Sequence, residues 1–183
     1  MTASLHGLAP RRGLSNSDEW QTPRRLFNAA SDHYGPFSVD VAAAKWNALC
    51  ARYHTKRTNG LDLVWSGRAW CNCPYSRGNL MTWVGEGRKR VTNPFTRDDT
   101  ELVCMLVPAY TSEGWWHRHV LRPGRGKPGL ALVDRAGIGR GWRAEYSDLS
   151  IEVVFVEGRL RFRHESGVQD SARHPSAIVV FSR

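Results

Sequence analysis

Residues 101–107 read ELVCMLV, so six apolar side chains follow one another without a break. A run of this kind is typical of a strand that is buried on both faces of a parallel sheet. Strands and helices alternate on either side of it, which predicts an α/β fold with a mostly parallel sheet and a C-terminal antiparallel hairpin. The predicted strands are 37–42, 69–72, 101–107, 151–156, 160–162 and 177–181, and the predicted helices are about 23–34, 43–52, 78–90 and 112–121.

The length and composition fit a single globular domain. A chain of 183 residues can bury one sizeable core, and its 41% hydrophobic and 23% charged residues are typical of a folded protein. Residues 1–16 combine Arg11 and Arg12 with small and polar residues, so we expect a flexible basic tail ahead of a single domain at 17–183. No apolar run is long enough for a membrane span or a signal peptide, which predicts a cytoplasmic protein.

The charge of the chain points to a polyanionic partner. Lys and Arg outnumber Asp and Glu by 26 to 17, so nucleic acid is the leading partner class. The alternative is that the positive charge serves only to keep the protein soluble. A net charge of +6 and six glycines fall within residues 118–143, which predicts an inserted basic loop that either binds DNA phosphates or stays disordered. RLRFR at 159–163 is typical of an edge strand with one basic face. The candidate DNA-binding residues are Arg118, Arg122, Arg125, Lys127, Arg140 and Arg143.

The segment Asn72-Cys73-Pro74-Tyr75 carries a chemical signature at the end of a predicted strand. An aromatic amine is a weak nucleophile, because its lone pair is delocalised into the ring. An Asn side-chain oxygen and the next backbone carbonyl can accept the two amine hydrogens and turn the lone pair towards a methyl donor, while a Tyr ring stacks on a flipped-out base. Such a tetrapeptide also occurs by chance in turns, but its place at the carboxyl edge of a sheet favours a catalytic site.

Two weaker signals accompany this motif. Asp40 lies near the end of the predicted strand 37–42, where α/β folds hold a ribose or the charged end of a cofactor, although an exposed turn carboxylate gives the same pattern. The four cysteines include a pair two residues apart but lack the second pair that zinc sites usually show, so we expect reduced thiols and no metal site. These cysteines are Cys50, Cys71, Cys73 and Cys104.

Together these residues belong to an ordered series that resembles the phage-type DNA adenine methyltransferase (Dam) family. The resemblance implies a Rossmann-like methyltransferase sandwich that uses S-adenosylmethionine to methylate adenine in double-stranded DNA. It also implies a phage or prophage origin and protection of DNA from host restriction. Only the insertion at 122–150 falls outside it. The segments that carry it are SDEWQTP (17–23), LF (26–27), GPF (35–37), VDVAA (39–43), NA (47–48), Tyr53, NGL (59–61), Trp65, WCN (70–72), PYS (74–76), LVPA (106–109), WWH (115–117), GRLRF (158–162) and PS (175–176).

The resemblance also implies roles for single residues. Asn72, Cys73, Pro74 and Tyr75 would form the catalytic motif. Cys73 stands where the family usually has Pro, which keeps the backbone carbonyl but loses the locked φ angle. Asn59 stands where the family usually has Asp, which turns a charge-assisted hydrogen bond into a neutral one. The residues that would hold the cofactor are Trp20, Thr22 and Pro23 at its methionine end, Asp40 and Ala42 nearby, and Asn59 at its adenine.

Three functions fit these observations. The leading one is a monomeric, active adenine methyltransferase. The replacements at Cys73 and Asn59 leave open a catalytically weakened relative that binds DNA without modifying it. A cytosine amino-methyltransferase is the third, because the same tetrapeptide serves both exocyclic amines.

Overall fold

The computed structural model describes residues 20–76 and 78–183. The basic tail expected at residues 1–16 lies outside the described residues. Within the described ranges, no helix has the length and apolar character needed to cross a membrane. The elements are the helices α1 (Arg24–Tyr34) and α2 (Asn79–Thr92), a 3₁₀ helix (Gly60–Asp62), a π-helical turn (Trp116–Val120), and the strands β1 (Val39–Asp40), β2 (Gly67–Cys71), β3 (Thr100–Pro108), β4 (Gly129–Arg135), β5 (Gly139–Glu145), β6 (Ser150–Val156), β7 (Arg161–Arg163), β8 (Gln169–Ser171) and β9 (Ser176–Ser182).

Seven strands of the described chain form one mixed sheet in the order β1-β2-β3-β9-β6-β5-β4. The strands β1, β2 and β3 are parallel, whereas the other four pairings are antiparallel. A mixed α/β fold is therefore confirmed, but the expectation of a mostly parallel sheet is wrong. The strands β7 and β8 form a separate two-stranded sheet.

Two segments explain why the sheet is largely antiparallel. Residues 118–143, expected to form a loop, contain β4 and most of β5, which form a hairpin. This hairpin extends the sheet from β6, so its backbone groups find partners in the sheet rather than in water. The hairpin expected between 151–156 and 160–162 is also wrong, because β6 pairs with β5 and β9, while β7 pairs with β8.

The helix predicted at 43–52 is wrong for a different reason. Polar side chains capture backbone N–H groups that a helix would use: the Asp40 carboxylate accepts from Leu49, and the Asn47 side chain accepts from Ala44. The helix predicted at 112–121 is reduced to the π-helical turn. By contrast, α1, α2, β2, β3 and β9 are confirmed close to their predicted positions.

The apolar run in β3 is explained by helices on both faces of the sheet. Cys104 and Leu106 pack in a cluster that includes α1. Met105 and Val107 point to the opposite face, where α2 and the π-helical turn cover them. Because side chains alternate along a strand, a strand with both faces covered needs apolar residues at every position.

One edge of the sheet, here called the carboxyl edge, gathers the ends of several strands. Since β1, β2 and β3 are parallel, their carboxyl ends meet there. The start of the antiparallel strand β9 lies at the same edge, because Ser176 pairs with Pro108. Helix α1 runs in the opposite direction. The Arg68 guanidinium, near the start of β2, donates to the carbonyls of Tyr34 and Gly35 at the end of α1. The amino end of α1 therefore points to the carboxyl edge.

Candidate active site

Asp40 is a buried carboxylate at the carboxyl edge. Its side chain is only 3% exposed, and its two oxygens accept the N–H groups of Ala42 at 3.4 Å and Leu49 at 3.1 Å. No ion pair to Asp40 is formed within residues 20–76 and 78–183. Burial raises the pKa of this carboxyl to about 6, and the two backbone hydrogen bonds partly oppose that rise. Asp40 thus offers a carboxylate to a cationic ligand.

A cleft opens beside Asp40. It contains four residues that the sequence assigned to the cofactor and one that it assigned to catalysis. Pro23 directly precedes α1 next to this group. Asn59 lies outside the cleft lining, and its amide donates to Asp62 at 2.6 Å. The lining residues are Trp20, Thr22, Asp40, Ala42, Asn47, Leu49, Trp70 and Asn72.

Trp70 is the main lining residue that sequence reasoning missed. It is the register partner of Asp40 in the parallel pairing of β1 and β2, so the two side chains are neighbours on one face of the sheet. Its position two residues before Asn72, at the end of the predicted strand 69–72, was a usable signal, because side chains two apart on a strand share a face. Trp70 is fully buried, and its Nε1 atom has no hydrogen-bond partner among the described residues. The same is true of the Thr22 hydroxyl.

The orientation of the Asn72 amide is fixed from both sides. Its nitrogen donates to the Trp20 carbonyl at 3.0 Å, and its oxygen accepts from the Tyr75 hydroxyl at 2.7 Å. The Tyr75 oxygen also lies 2.9 Å from the Leu106 carbonyl, so its single hydrogen serves two acceptors. An amide oxygen can accept two hydrogen bonds, which leaves Asn72 Oδ1 able to accept a second donor at a defined position.

The other motif residues support this arrangement. Burial raises the pKa of the Tyr75 hydroxyl well above its ordinary value, while the Tyr75 side chain as a whole remains partly exposed. Tyr75 is therefore anchored at its tip and available at its ring. Cys73 is 3% exposed beside the buried Cys71, and Pro74 is partly exposed. All four cysteines are free thiols, and among the described residues no group of three or more His, Cys, Asp or Glu side chains could hold a metal ion.

The six basic residues predicted to bind DNA are not gathered at this cleft. Arg125 and Lys127 precede β4, whose first residue lies at the edge opposite the carboxyl edge, as the sheet register shows. Arg140 lies nearer the carboxyl edge, but on β5, three strands beyond β3. Arg118, Arg122 and Lys127 are exposed, while Arg125 pairs with Asp148 at 3.8 Å, Arg140 with Asp134 at 2.9 Å, and Arg143 with Glu145 at 2.6 Å.

A different basic pair lies beside the cleft. The backbone of Arg163 pairs with Gln21, directly after Trp20, through hydrogen bonds of 2.8 and 3.4 Å. The neighbouring His164 ring contacts the Trp20 ring, with centroids 5.5 Å apart. Phe162 is buried, whereas the side chains of Arg161 and Arg163 are exposed. The alternation of β7 gives the one basic face that its sequence predicted, and the structure puts this face next to the cleft.

Known proteins resemble the part of the chain that builds this site. The sequence profile of the family described as DNA N-6-adenine-methyltransferase (Dam) matches residues 12–122. The DNA N-6-adenine-methyltransferase of Escherichia phage T1 is 29% identical over 101 residues, which cover 54% of this chain and 39% of the phage protein. The protein YfdM of Escherichia coli (strain K12), described as a candidate methyltransferase, is 37% identical over 65 residues, which cover 32% of this chain and 71% of that protein. The match therefore spans about two fifths of the length of the phage relative.

Proposed function

Because the chain belongs to the DNA N-6-adenine-methyltransferase (Dam) family, we propose that it is a site-specific DNA adenine methyltransferase. It would transfer the methyl group of S-adenosylmethionine to the exocyclic amino group of adenine in double-stranded DNA. One observation carries the proposal: the amide of Asn72 lines the same cleft as the carboxylate of Asp40, which has no ion-pair partner among the described residues. On this view, the mixed sheet with α1 and α2 on its two faces is a Rossmann-like methyltransferase sandwich with an antiparallel extension.

The residues of the cleft fit S-adenosylmethionine. This cofactor carries an ammonium and a sulfonium cation, and Asp40 supplies a buried carboxylate that lacks a cationic partner in the described chain. The cleft is small, so we assign to it the methionine end rather than the whole cofactor. Trp20, Thr22, Pro23 and Ala42 would surround that end, and Asn59 remains the candidate for the adenine end.

Asn72 and Tyr75 would act on the target base. The oxygen of Asn72 and the backbone carbonyl of Cys73 would accept the two hydrogens of the adenine amine. These hydrogen bonds draw the nitrogen towards tetrahedral geometry and direct its lone pair into the cleft, where the bound cofactor supplies the methyl group. The Tyr75 ring, held through its buried hydroxyl, would stack on the flipped base. The amine proton then leaves to solvent after transfer.

DNA would be held by phosphate contacts around the cleft. Arg161 and Arg163 are the best placed candidates, because their strand pairs with the segment that follows Trp20. We keep the basic residues predicted from the sequence as a second, more distant set for the flanking duplex. The protein would act as a monomer in the cytoplasm, that of the host if a phage encodes it. The members of the distant set are Arg118, Arg122, Arg125, Lys127, Arg140 and Arg143.

A weakened relative that only binds DNA is the second candidate, because Cys73 occupies the position of a family Pro. Expression in a host without adenine methylation, followed by digestion of its DNA to nucleosides and mass spectrometry, separates the possibilities. N6-methyladenine that disappears in the variant Asn72→Ala supports the proposal. N4-methylcytosine would assign the cytosine amine instead. Neither product, with DNA binding retained in a gel-shift assay, would favour the weakened relative.

A further inference from the structure

We propose that the cleft recognises the amino-acid end of the cofactor as a zwitterion, with Trp70 as a ligand of its carboxylate. Asp40 would bind the ammonium group, while the indole N–H of Trp70 and the hydroxyl of Thr22 would donate to the carboxylate. This inference rests on the proposed function, since it assigns one end of S-adenosylmethionine to named atoms. Trp70 lies outside the set of cofactor residues that the sequence predicted.

Two buried donors without partners carry the inference. Trp70 is 0% exposed and Thr22 is 3% exposed, and both Trp70 Nε1 and Thr22 Oγ1 lack a hydrogen-bond partner within the described residues. Buried polar groups are nearly always hydrogen-bonded in folded proteins, so two exceptions lining one cleft call for an explanation. An indole N–H can only donate, which requires an acceptor such as a carboxylate oxygen.

The positions of the charged and polar groups suit a zwitterion. Asp40 and Trp70 are register partners in parallel strands, so an anionic acceptor and a neutral donor stand side by side on one face. Thr22 stands two residues before α1, an 11-residue helix with no acid in its first turn. The positive end of a helix dipole favours an anion there. The cleft thus pairs a site for a cation with a neighbouring site for an anion.

Packing explains the Trp70 ring but leaves its N–H unexplained. The ring contacts Phe27 edge-on with centroids 5.2 Å apart, and it contacts Phe37 at 5.5 Å. A Phe at this position would keep an aromatic ring between these neighbours and remove the donor, together with the volume of one fused ring. Trp70→Phe is therefore a test of the N–H, and Thr22→Val is its near-isosteric counterpart for the hydroxyl.

Calorimetric titration of the full chain without DNA tests the inference. The probes are S-adenosylmethionine and its decarboxylated analogue, which keeps the amine and the sulfonium but lacks the carboxylate. Trp70→Phe should weaken S-adenosylmethionine binding roughly 10- to 100-fold, the usual range for a hydrogen bond to a charged group. Thr22→Val should weaken it by a smaller factor. Both variants should bind the decarboxylated analogue within about threefold of the wild type, since a hydrogen bond that is not made cannot be lost.

A matched control and thermal melts keep the outcomes separate. Trp83→Phe changes a buried Trp on the α2 side of the sheet and should leave the preference between the two probes unchanged. The apo melting temperature of Thr22→Val should stay level or rise, because the change removes a buried donor that has no partner among the described residues. Trp70→Phe should lower the melting temperature no more than Trp83→Phe does, because both changes lose the same ring volume. Equal losses on both probes, or no loss on either, would overturn the role of the carboxylate donors. If the wild type binds neither probe, the proposed cofactor itself fails.

Discussion

Replacing Asp40 by Asn should stabilise the empty protein while it removes cofactor binding. Asp40 is 3% exposed and has no cationic partner in the described part of the chain. Its ionised form is therefore held in the fold against a desolvation cost. Asn is nearly the same size and keeps one side-chain oxygen but carries no charge. The difference in unfolding free energy between the two proteins therefore reports the cost of burying the charge, because the packing around it stays nearly the same.

The magnitude follows from the pKa of Asp40. Burial raises this pKa from 3.8 to about 6, and a shift of roughly two units corresponds to about 3 kcal/mol of unfolding free energy. Because the folded pKa is the higher one, the folded state binds more protons between about pH 4 and pH 6, and stability falls as the pH rises through this window. Asn can keep the acceptor for Leu49 but loses the weaker bond from Ala42, at about 1 kcal/mol. The net gain at pH 7.5 is then about 2 kcal/mol.

Urea unfolding at two pH values measures this gain. At pH 4 the wild type and Asp40→Asn should differ by no more than about 1 kcal/mol, and the advantage of the variant should grow by about 2 kcal/mol on going to pH 7.5. The exposed Asp32→Asn on α1 serves as the control and should stay within about 0.5 kcal/mol of the wild type. A difference between Asp40→Asn and the wild type that does not change with pH would refute the reasoning. Calorimetry on the same samples should show that the variant has lost most of its affinity for S-adenosylmethionine.

Three further predictions concern the motif and the basic residues. Asn72→Ala should lower methyl transfer at least about 100-fold while nearly preserving S-adenosylmethionine binding, and near-wild-type turnover would remove Asn72 from the chemistry. Cys73→Pro should raise or preserve turnover by fixing the backbone whose carbonyl accepts the amine hydrogen, whereas a large loss together with bound zinc in the wild type would give Cys73 a role of its own. Removing basic side chains should weaken DNA binding and lower the slope of log affinity against log salt by about one per lost phosphate contact, and we expect the larger effect from the pair beside the cleft. The comparison uses two variants. The first combines Arg161→Ala and Arg163→Ala, and the second combines Arg125→Ala, Lys127→Ala and Arg140→Ala. Both should bind S-adenosylmethionine as the wild type does.

The elements that the sequence predicted correctly are those with local signals. The unbroken apolar run of β3 requires cover on both faces, and the structure supplies it with α1 and α2. Pro23 cannot continue a strand ladder but starts a helix well, and α1 begins directly after it. The cleft itself was only partly predictable. Asp40 was indicated by its place near the end of a predicted strand and Thr22 by the family resemblance, whereas the role proposed for Trp70 also depends on the pairing of β1 with β2.

The hairpin of β4 and β5 was missed because its glycines have a reason that the sequence does not display. A side chain on Gly141 would place its Cβ 1.7 Å from the Val153 carbonyl oxygen of β6, and Gly139 has a φ of +148° and a similar clash with the Phe155 carbonyl oxygen. Only glycine lets β5 approach β6 this closely. Considered from the sequence alone, the same glycines indicate a loop. A loop and a closely packed strand can be told apart only when the position of β6 is known.

Charge counting over the same segment was misleading for a related reason. The net +6 of residues 118–143 leaves out three acids that follow at 145, 148 and 152, and these halve it. Arg135, one of the seven basic residues, binds the buried Glu152 at 2.7 and 2.8 Å, and Tyr34 at the end of α1 also donates to Glu152. That arginine ties the hairpin to the helix and is not free to bind phosphate.

Positive charge that helps to bind DNA should therefore lie close to the cleft. On the proposed mechanism a flipped adenine reaches Asn72, so the phosphates on either side of it would lie within one or two nucleotides of the carboxyl edge. Arg161 and Arg163 stand exposed on a strand that is paired with the segment after Trp20, and Trp20 holds the amide of Asn72 through its carbonyl. Contact with DNA at β7 would thus act on the same backbone segment that orients the Asn72 amide. Among the described residues, the distant set has no such connection to Asn72, so we expect it to add affinity but not alignment.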